Sequence, residues 1–265
     1  MSKKRGTILK GPLPEAEPTG PDEHVKPFVF ESRGARALHF SIHELQSRMQ
    51  LDDPDGLDLE YTRTMMGFLL FVPDPRRIGM VGLGGGSLAK FCHHHLPQVS
   101  IHVVEINPHV LALRDEFAVP PDGERFQVLL GDGARFVRQH SAAFDVLMID
   151  GFDWEGMPDV LARQRFYDDC ADALQPGGML VVNLHLGDER HDALVDRLRR
   201  SFDGAVLVVV DADKSNSIVF ASKGPTLATY RPGIVRLPQG LPREAATQLL
   251  GAFSQVTTAL RDRKR

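Results

Sequence analysis

The chain has 265 residues, 42% hydrophobic and 25% charged, an ordinary globular composition with enough length to bury a sizeable core. A formal net charge of −4 leaves no electrostatic footprint for nucleic acid, and no run approaches the roughly 20 apolar residues of a membrane span. Cys92 and Cys170, the only cysteines, lie in apolar helical patterns, and no apolar segment follows Lys3, Lys4 and Arg5, so a reduced, cytoplasmic protein without a signal peptide is expected.

Residues 1–25 mix prolines, glycines and scattered charges, and a mobile tail is expected there. Short β-like runs follow at 28–31 and 37–40, around a turn at 32–34. Runs at 43–50 and 57–61 continue the pattern on either side of Asp52-Asp53-Pro54-Asp55-Gly56. This predicts a small antiparallel lobe over 26–60. From 61 to 71 the period turns helical, with Met65, Met66, Leu69 and Leu70 on one stripe that reads as core.

The stretch from Arg76 to Glu105 organises the rest. Ile78, Met80 and Val81 enter a glycine cluster of Gly82, Gly84, Gly85 and Gly86. A helical pattern on Leu88, Phe91 and Cys92 follows, and a second apolar run, Ile101, Val103 and Val104, ends on Glu105. Glycines permit the positive φ of a tight turn and let a ligand lie against bare backbone. Glu105 stands 19 residues beyond Gly86, where a Rossmann-type unit carries the carboxylate that accepts ribose hydroxyls.

A helix is expected over 108–117 and a strand over 126–130, followed by Gly131-Asp132-Gly133 and a helix through Phe136 and Val137. A fully apolar strand over 144–149 ends on Asp150, and a helix over 166–174 is closed by Pro176-Gly177-Gly178 before a strand at 179–184. Alternating strands and helices imply a parallel sheet with ligands at the strands' carboxyl ends. A helix from beyond Asp192 to Phe202 precedes strands at 206–210 and 217–221, whose short connection demands an antiparallel pair. Five parallel strands closed by such a hairpin make a seven-stranded Rossmann-like sheet of the S-adenosylmethionine-dependent methyltransferase type, expected over 61–223. A Pro- and Gly-rich segment at 224–242 and an amphipathic helix at 244–260 form a C-terminal extension over 224–265, ending in a basic tip.

Glu105, Asp132 and Asp150 then sit at consecutive strand ends, with Asp153 close behind, and line one crevice. Glu105 suits a ribose, Asp132 an adenine amine with Gly133 letting the ring approach, and Asp150 and Asp153 the reacting centre. Helix capping and turn formation are the alternative jobs for these aspartates. His93, His94 and His95 are consecutive on a helix, point in different directions and cannot converge on one ion, so no metal site is expected.

The run Asp150-Gly151-Phe152-Asp153-Trp154-Glu155-Gly156, continued by Leu161 and Phe166-Tyr167, resembles the polyamine aminopropyltransferases, the spermidine synthase family. The resemblance extends to the small β lobe, to Tyr61 and to Gly131-Asp132-Gly133. It implies transfer of an aminopropyl group from decarboxylated S-adenosylmethionine to an amine such as putrescine, releasing 5′-methylthioadenosine, with no permanently bound cofactor. Asp150 matches the family's general base, Asp153 the acid that helps to hold the acceptor, and Tyr61 a further catalytic position. Gln46, Gly82, Gly84, Gly85, Gly86, Glu105, Asp132 and Gly133 match positions that hold the cosubstrate, and a homodimer is implied.

The departures from the family are specific. Gly85 stands where the family's glycine turn carries an aspartate for the donor's ammonium. Trp154 replaces a proline, and the Tyr-Pro pair expected near 211–216 is absent. Arg63, two residues after Tyr61, adds a positive charge where a cationic substrate is expected. A methyltransferase taking intact S-adenosylmethionine, its carboxylate using the space at Gly85, and a non-catalytic family member are the alternative readings.

Overall fold

A computed structural model describes residues 24–41, 44–152, 156–212, 214–231 and 240–263. The tail expected over 1–25 lies outside them except for its last two residues. Of these, Val25 is held by its carbonyl, which accepts from Asn107 Nδ2 at 2.9 Å.

Strands β1 (Phe28–Ser32), β2 (Ala35–Ser41) and β3 (Glu44–Gln50) form an antiparallel sheet in that order. Arg33 and Gly34, both at positive φ, make the two-residue turn between the first two strands, the geometry that matches strand twist. The strand expected at 57–61 does not form. Arg63 Nη1 instead donates to the carbonyls of Leu57 (2.6 Å) and Asp58 (2.9 Å), and these residues lead into helix α1 (Glu60–Met65). That helix tightens into a 3₁₀ turn, Met66–Leu70, and Met65, Met66 and Leu69 are buried as their stripe predicts.

The main sheet is laid down by β4 (Arg77–Val81), α2 (Ser87–His95), β5 (Ser100–Glu105), α3 (Pro108–Leu111), β6 (Phe126–Leu130), α4 (Gly133–Arg138), β7 (Phe144–Ile149), α5 (Asp159–Ala162), α6 (Gln164–Ala173), β8 (Leu174–His185), α7 (His191–Ser201), β9 (Val206–Val210) and β10 (Asn216–Ser222). Its order is β6-β5-β4-β7-β8-β10-β9, with β10 antiparallel to both neighbours and the remaining pairs parallel. The order reverses between β5 and β7 around β4, which places a crevice at the carboxyl ends of these strands. Both faces are covered: Met80, Val103 and Met148 join one core, Val81, Val104 and Ile149 the other. Burial on both faces explains why these strands read as nearly continuous apolar runs.

Two helix boundaries differ from expectation. The helix predicted over 108–117 stops at Leu111 and continues as turns, several closed by i→i−3 bonds, and the Arg114 guanidinium ties these turns to Pro120 O and Asp122. Strand β8 begins at Leu174, ahead of its Pro-Gly-Gly. The irregularity there is absorbed by a register shift against β7 and by reciprocal bonds between Gly177, Gly178 and Lys223.

After α8 (Thr226–Thr229), the long helix α9 (Arg243–Arg263) buries Leu249, Phe253, Val256 and Leu260 along one stripe. Val256 packs so tightly over Gly67 that a Cβ there would stand 2.8 Å from its methyl group. Cys92 and Cys170 are free and buried. Among the described residues no cluster can hold a metal ion and no helix is long and apolar enough to cross a membrane.

Candidate active site

The crevice is a cavity of about 980 Å³ at the carboxyl ends of β4 to β8, roofed by residues of β2, β3 and α1. Gln46, Tyr61, Gly82, Gly84, Glu105, Asp132, Gly133 and Asp150 all line it. Gly85 and Gly86 do not. Asp153 and Trp154 lie outside the described residues.

Asp150 sits half-buried at the end of β7, where Gly82 allows the two chains to close together. A Cβ on Gly82 (φ +94°) would stand 2.2 Å from the Asp150 carbonyl oxygen, so no other residue fits. Tyr61 Oη donates to Asp150 Oδ2 at 3.2 Å and Asn183 Nδ2 to Oδ1 at 3.0 Å. Burial raises the Asp150 carboxyl above the usual carboxylate range, opposed by these two hydrogen bonds and by nearby His185. The Tyr61 hydroxyl is pushed up by burial and by the charge of Asp150, so it remains a donor. Asn183, 2% exposed, keeps its Oδ1 without a hydrogen-bond partner. A buried amide oxygen left unpaired beside a carboxylate is a place for a ligand N–H.

Glu105 Oε2 accepts from Leu83 N and Oε1 from Asn107 N, both at 2.8 Å. Burial raises its carboxyl, and backbone N–H groups at Asn107, Leu83, Gly84 and Ile106 oppose the shift. The acid therefore braces the glycine turn while facing the cavity. Asp132 caps α4 through Arg135 N at 2.6 Å, so its capping role is realised within the crevice wall.

Two expectations about charge and space are corrected. Arg63 does not enter the crevice: its guanidinium is turned toward the Leu57 and Asp58 carbonyls, beside a separate small surface hollow. Residues two apart on a helix face nearly opposite ways, so proximity to Tyr61 in sequence does not carry over. Nor is there vacant space at Gly85, where a Cβ would meet Ser47 Oγ at 2.5 Å and Phe117 Cδ1 at 2.8 Å. The turn itself therefore leaves no open space at Gly85.

Residues that the sequence pattern left unmarked complete the site. Asn183 and His185 close β8, and the His185 ring stacks on Phe152 at 4.1 Å with a 4° interplanar angle. Asp188 and Arg190 line the far side as an ion pair, Oδ2 to Nη2 at 2.9 Å, which holds the Asp188 carboxyl below its ordinary range. Only Asn183 carried a signal, as a polar break in the apolar run of β8.

Comparison with known proteins bears on the same residues. The family model for the spermine/spermidine synthase domain matches residues 58–199, the span that holds Tyr61, the glycine turn, Glu105, Asp132, Asp150 and Asn183. A polyamine aminopropyltransferase of Chromobacterium violaceum is 39% identical over 204 residues, covering 76% of this chain and 78% of that protein. Among solved structures, a probable spermidine synthase from Corynebacterium glutamicum superposes with a TM-score of 0.66 at 22% identity, covering 79% of this chain and 81% of that one. Human methyltransferase-like protein 13 in complex with SAH superposes with a TM-score of 0.58 at 23% identity, over 77% and 93% of the two chains. The last two likenesses concern the fold; on the family model, which matches more than half of the chain, and the bacterial relative, the chain belongs to the spermine/spermidine synthase family.

Proposed function

We propose that this chain transfers an aminopropyl group from decarboxylated S-adenosylmethionine to an amine such as putrescine, releasing 5′-methylthioadenosine, with Asp150 as general base. The observation that carries the reading is the constellation at Asp150. An acceptor amine is protonated at neutral pH and attacks only after losing a proton. Asp150 offers a carboxylate for that proton, and the unpartnered Oδ1 of Asn183 accepts one of the N–H bonds that remain. The sulfonium already activates the neighbouring carbon, so the protein's main task is to align the nitrogen for in-line attack.

In this reading Gly82, Gly84, Gly133, Gln46 and Asp132 cradle the adenosine, and the second lone pairs of the Glu105 oxygens accept the ribose hydroxyls. Asp153 helps to hold the acceptor. A homodimer in the cytoplasm is part of the proposal by family resemblance.

A second reading is favoured by one observation: where the family carries an acid for the donor's ammonium, Gly85 here is backed by the neutral Ser47. Intact S-adenosylmethionine, whose ammonium and carboxylate cancel, would suit that wall, and methyl transfer to a small acceptor would follow.

The purified protein incubated with decarboxylated or intact S-adenosylmethionine and a panel of amines separates the two. Amine-dependent methylthioadenosine from the decarboxylated donor is expected, and Asp150→Asn should abolish it while still binding methylthioadenosine. At a hundred times its Kd that ligand stabilises by about 2.7 kcal/mol, which a thermal melt resolves. S-adenosylhomocysteine from the intact donor, with no methylthioadenosine, would overturn the proposal in favour of methyl transfer.

A further inference from the structure

We propose that His185 carries the proton taken by Asp150 out to solvent, a step that rests on the aminopropyl-transfer reading above. The proton balance requires an exit. The acceptor ammonium gives a proton to Asp150, breaking N–H and forming O–H. The freed lone pair then forms the C–N bond as the C–S bond breaks, and its electron pair stays on sulfur as a neutral thioether. The product nitrogen remains an ammonium, so each turnover leaves one proton in the crevice, and Asp150 is not a base again until that proton has gone.

Neither partner of Asp150 removes it. Asn183 is an amide, and Tyr61 already directs its O–H at Asp150. His185 is two residues beyond Asn183 on β8, so both project from the same face of the strand, and it lines the same crevice. β7 and β8 run side by side with Ile149 opposite Val182, and Phe152, two residues after Asp150, stacks on the His185 ring, which is solvent-exposed at the strand's end. Phe152 fixes its plane by the parallel stack at 4.1 Å, and among the described residues its ring makes no hydrogen bond.

Among the described residues, the other titratable or charged groups lining the crevice are Asp188 and Arg190, paired with each other, Lys214 ahead of β10, and Glu105, Asp132 and His24; Arg190 also pairs with Asp159. In this proposal the imidazole, exposed at the end of β8 and lining the same crevice, accepts the proton from Asp150 through water and passes it to solvent. His185 acts through Asp150 and is a positioning and relay residue.

The test is the pH–rate profile of His185→Gln beside the wild type, with and without added imidazole. The expected result is a kcat lower by about tenfold or more, with KM for the donor within twofold and kcat regained as neutral imidazole is added. Methylthioadenosine binding, read by thermal melt, should be unchanged and shows that the variant is folded. An unchanged kcat, or a loss that imidazole does not restore in a variant that still binds methylthioadenosine, would overturn the relay while leaving aminopropyl transfer standing. A wild type that releases no methylthioadenosine with any amine would overturn the parent reading, and the relay with it. Phe152→Leu provides a second variant: it frees the ring from its stack and should lower kcat with the same imidazole dependence.

Discussion

The Tyr61 hydroxyl donates to Asp150 Oδ2 at 3.2 Å, which ties helix α1 to the end of the central strand β7. With Asn183 on the other oxygen, the carboxylate is held from both sides, and its ionised form is favoured against the burial that would protonate it.

Removing either donor therefore has a definite sign. Asn183→Leu takes away a hydrogen bond to the charged form, so the Asp150 pKa rises further. A hydrogen bond to an ion contributes about 1.5–3 kcal/mol, or about one to two pH units. The base is needed ionised, so the acid limb of the kcat/KM profile should move to higher pH by about that much. Tyr61→Phe should move it the same way by less. A limb that stays in place would show that Asp150 is not the group titrating.

Gly85→Asp, which restores the acid that the family resemblance leads one to expect, should not restore anything alone. The new side chain meets Ser47 Oγ and the buried ring of Phe117. Overpacking of this kind costs about 1–3 kcal/mol, seen as a lowered Tm. Gly85→Asp with Ser47→Gly removes the nearer obstacle and should recover part of the loss. It should also strengthen binding of decarboxylated over intact S-adenosylmethionine, which calorimetry would detect.

Glu105→Gln tests the double role of that acid. The amide presents N–H to a site where backbone N–H groups of Leu83 and Asn107 already point. One of the two is left facing a donor, a loss of about 1–3 kcal/mol. Both methylthioadenosine affinity and Tm should fall together. Glu105→Asp, which keeps the charge but shortens the reach, should lose affinity with a smaller drop in Tm.

Lys90 provides a stability prediction far from the chemistry. Its ammonium is 1% exposed, donates to Phe117 O at 2.8 Å and rests on Met49 Sδ at 3.0 Å, and burial pushes its pKa down to about 8. The unfolded chain holds this proton up to the ordinary lysine range, near 10.4. Between about pH 8 and 10 the unfolded state therefore binds more protons than the folded one, and the linkage makes Lys90 stabilise the fold increasingly as pH rises. Other groups titrate there too, so the quantity to measure is the difference in Tm between wild type and Lys90→Met. That difference should shift in favour of wild type across this window and be flat between pH 6 and 7.

Much of the fold was legible because its strands are buried on both faces and its turns carry glycine at positions that tolerate no other residue, Gly82 above all. Glu105 and Asp150 were legible for the same reason, as acids ending apolar runs. Asn183 showed itself only as a polar break, since its meaning depends on β8 lying beside β7, which no local pattern states. Arg63 was misplaced because α1 starts at Glu60, and the helix turns its side chain away from the face that carries Tyr61. His185 had no signal at all: an exposed histidine at a strand end acquires significance only when Phe152 and Asp150 are brought to it from another strand.

The close seat of Val256 on Gly67 makes α9 a splint for the segment that begins with Tyr61. With only a hydrogen atom's width between them, that segment cannot shift toward or away from the sheet unless the last helix shifts as well. The hydroxyl that steadies Asp150 and the C-terminal helix thus behave as one cooperative unit. Slow opening of α9, followed by amide hydrogen exchange, should be matched by opening at α1, and a protein that has lost its grip at Val256 will have loosened its grip on the carboxylate.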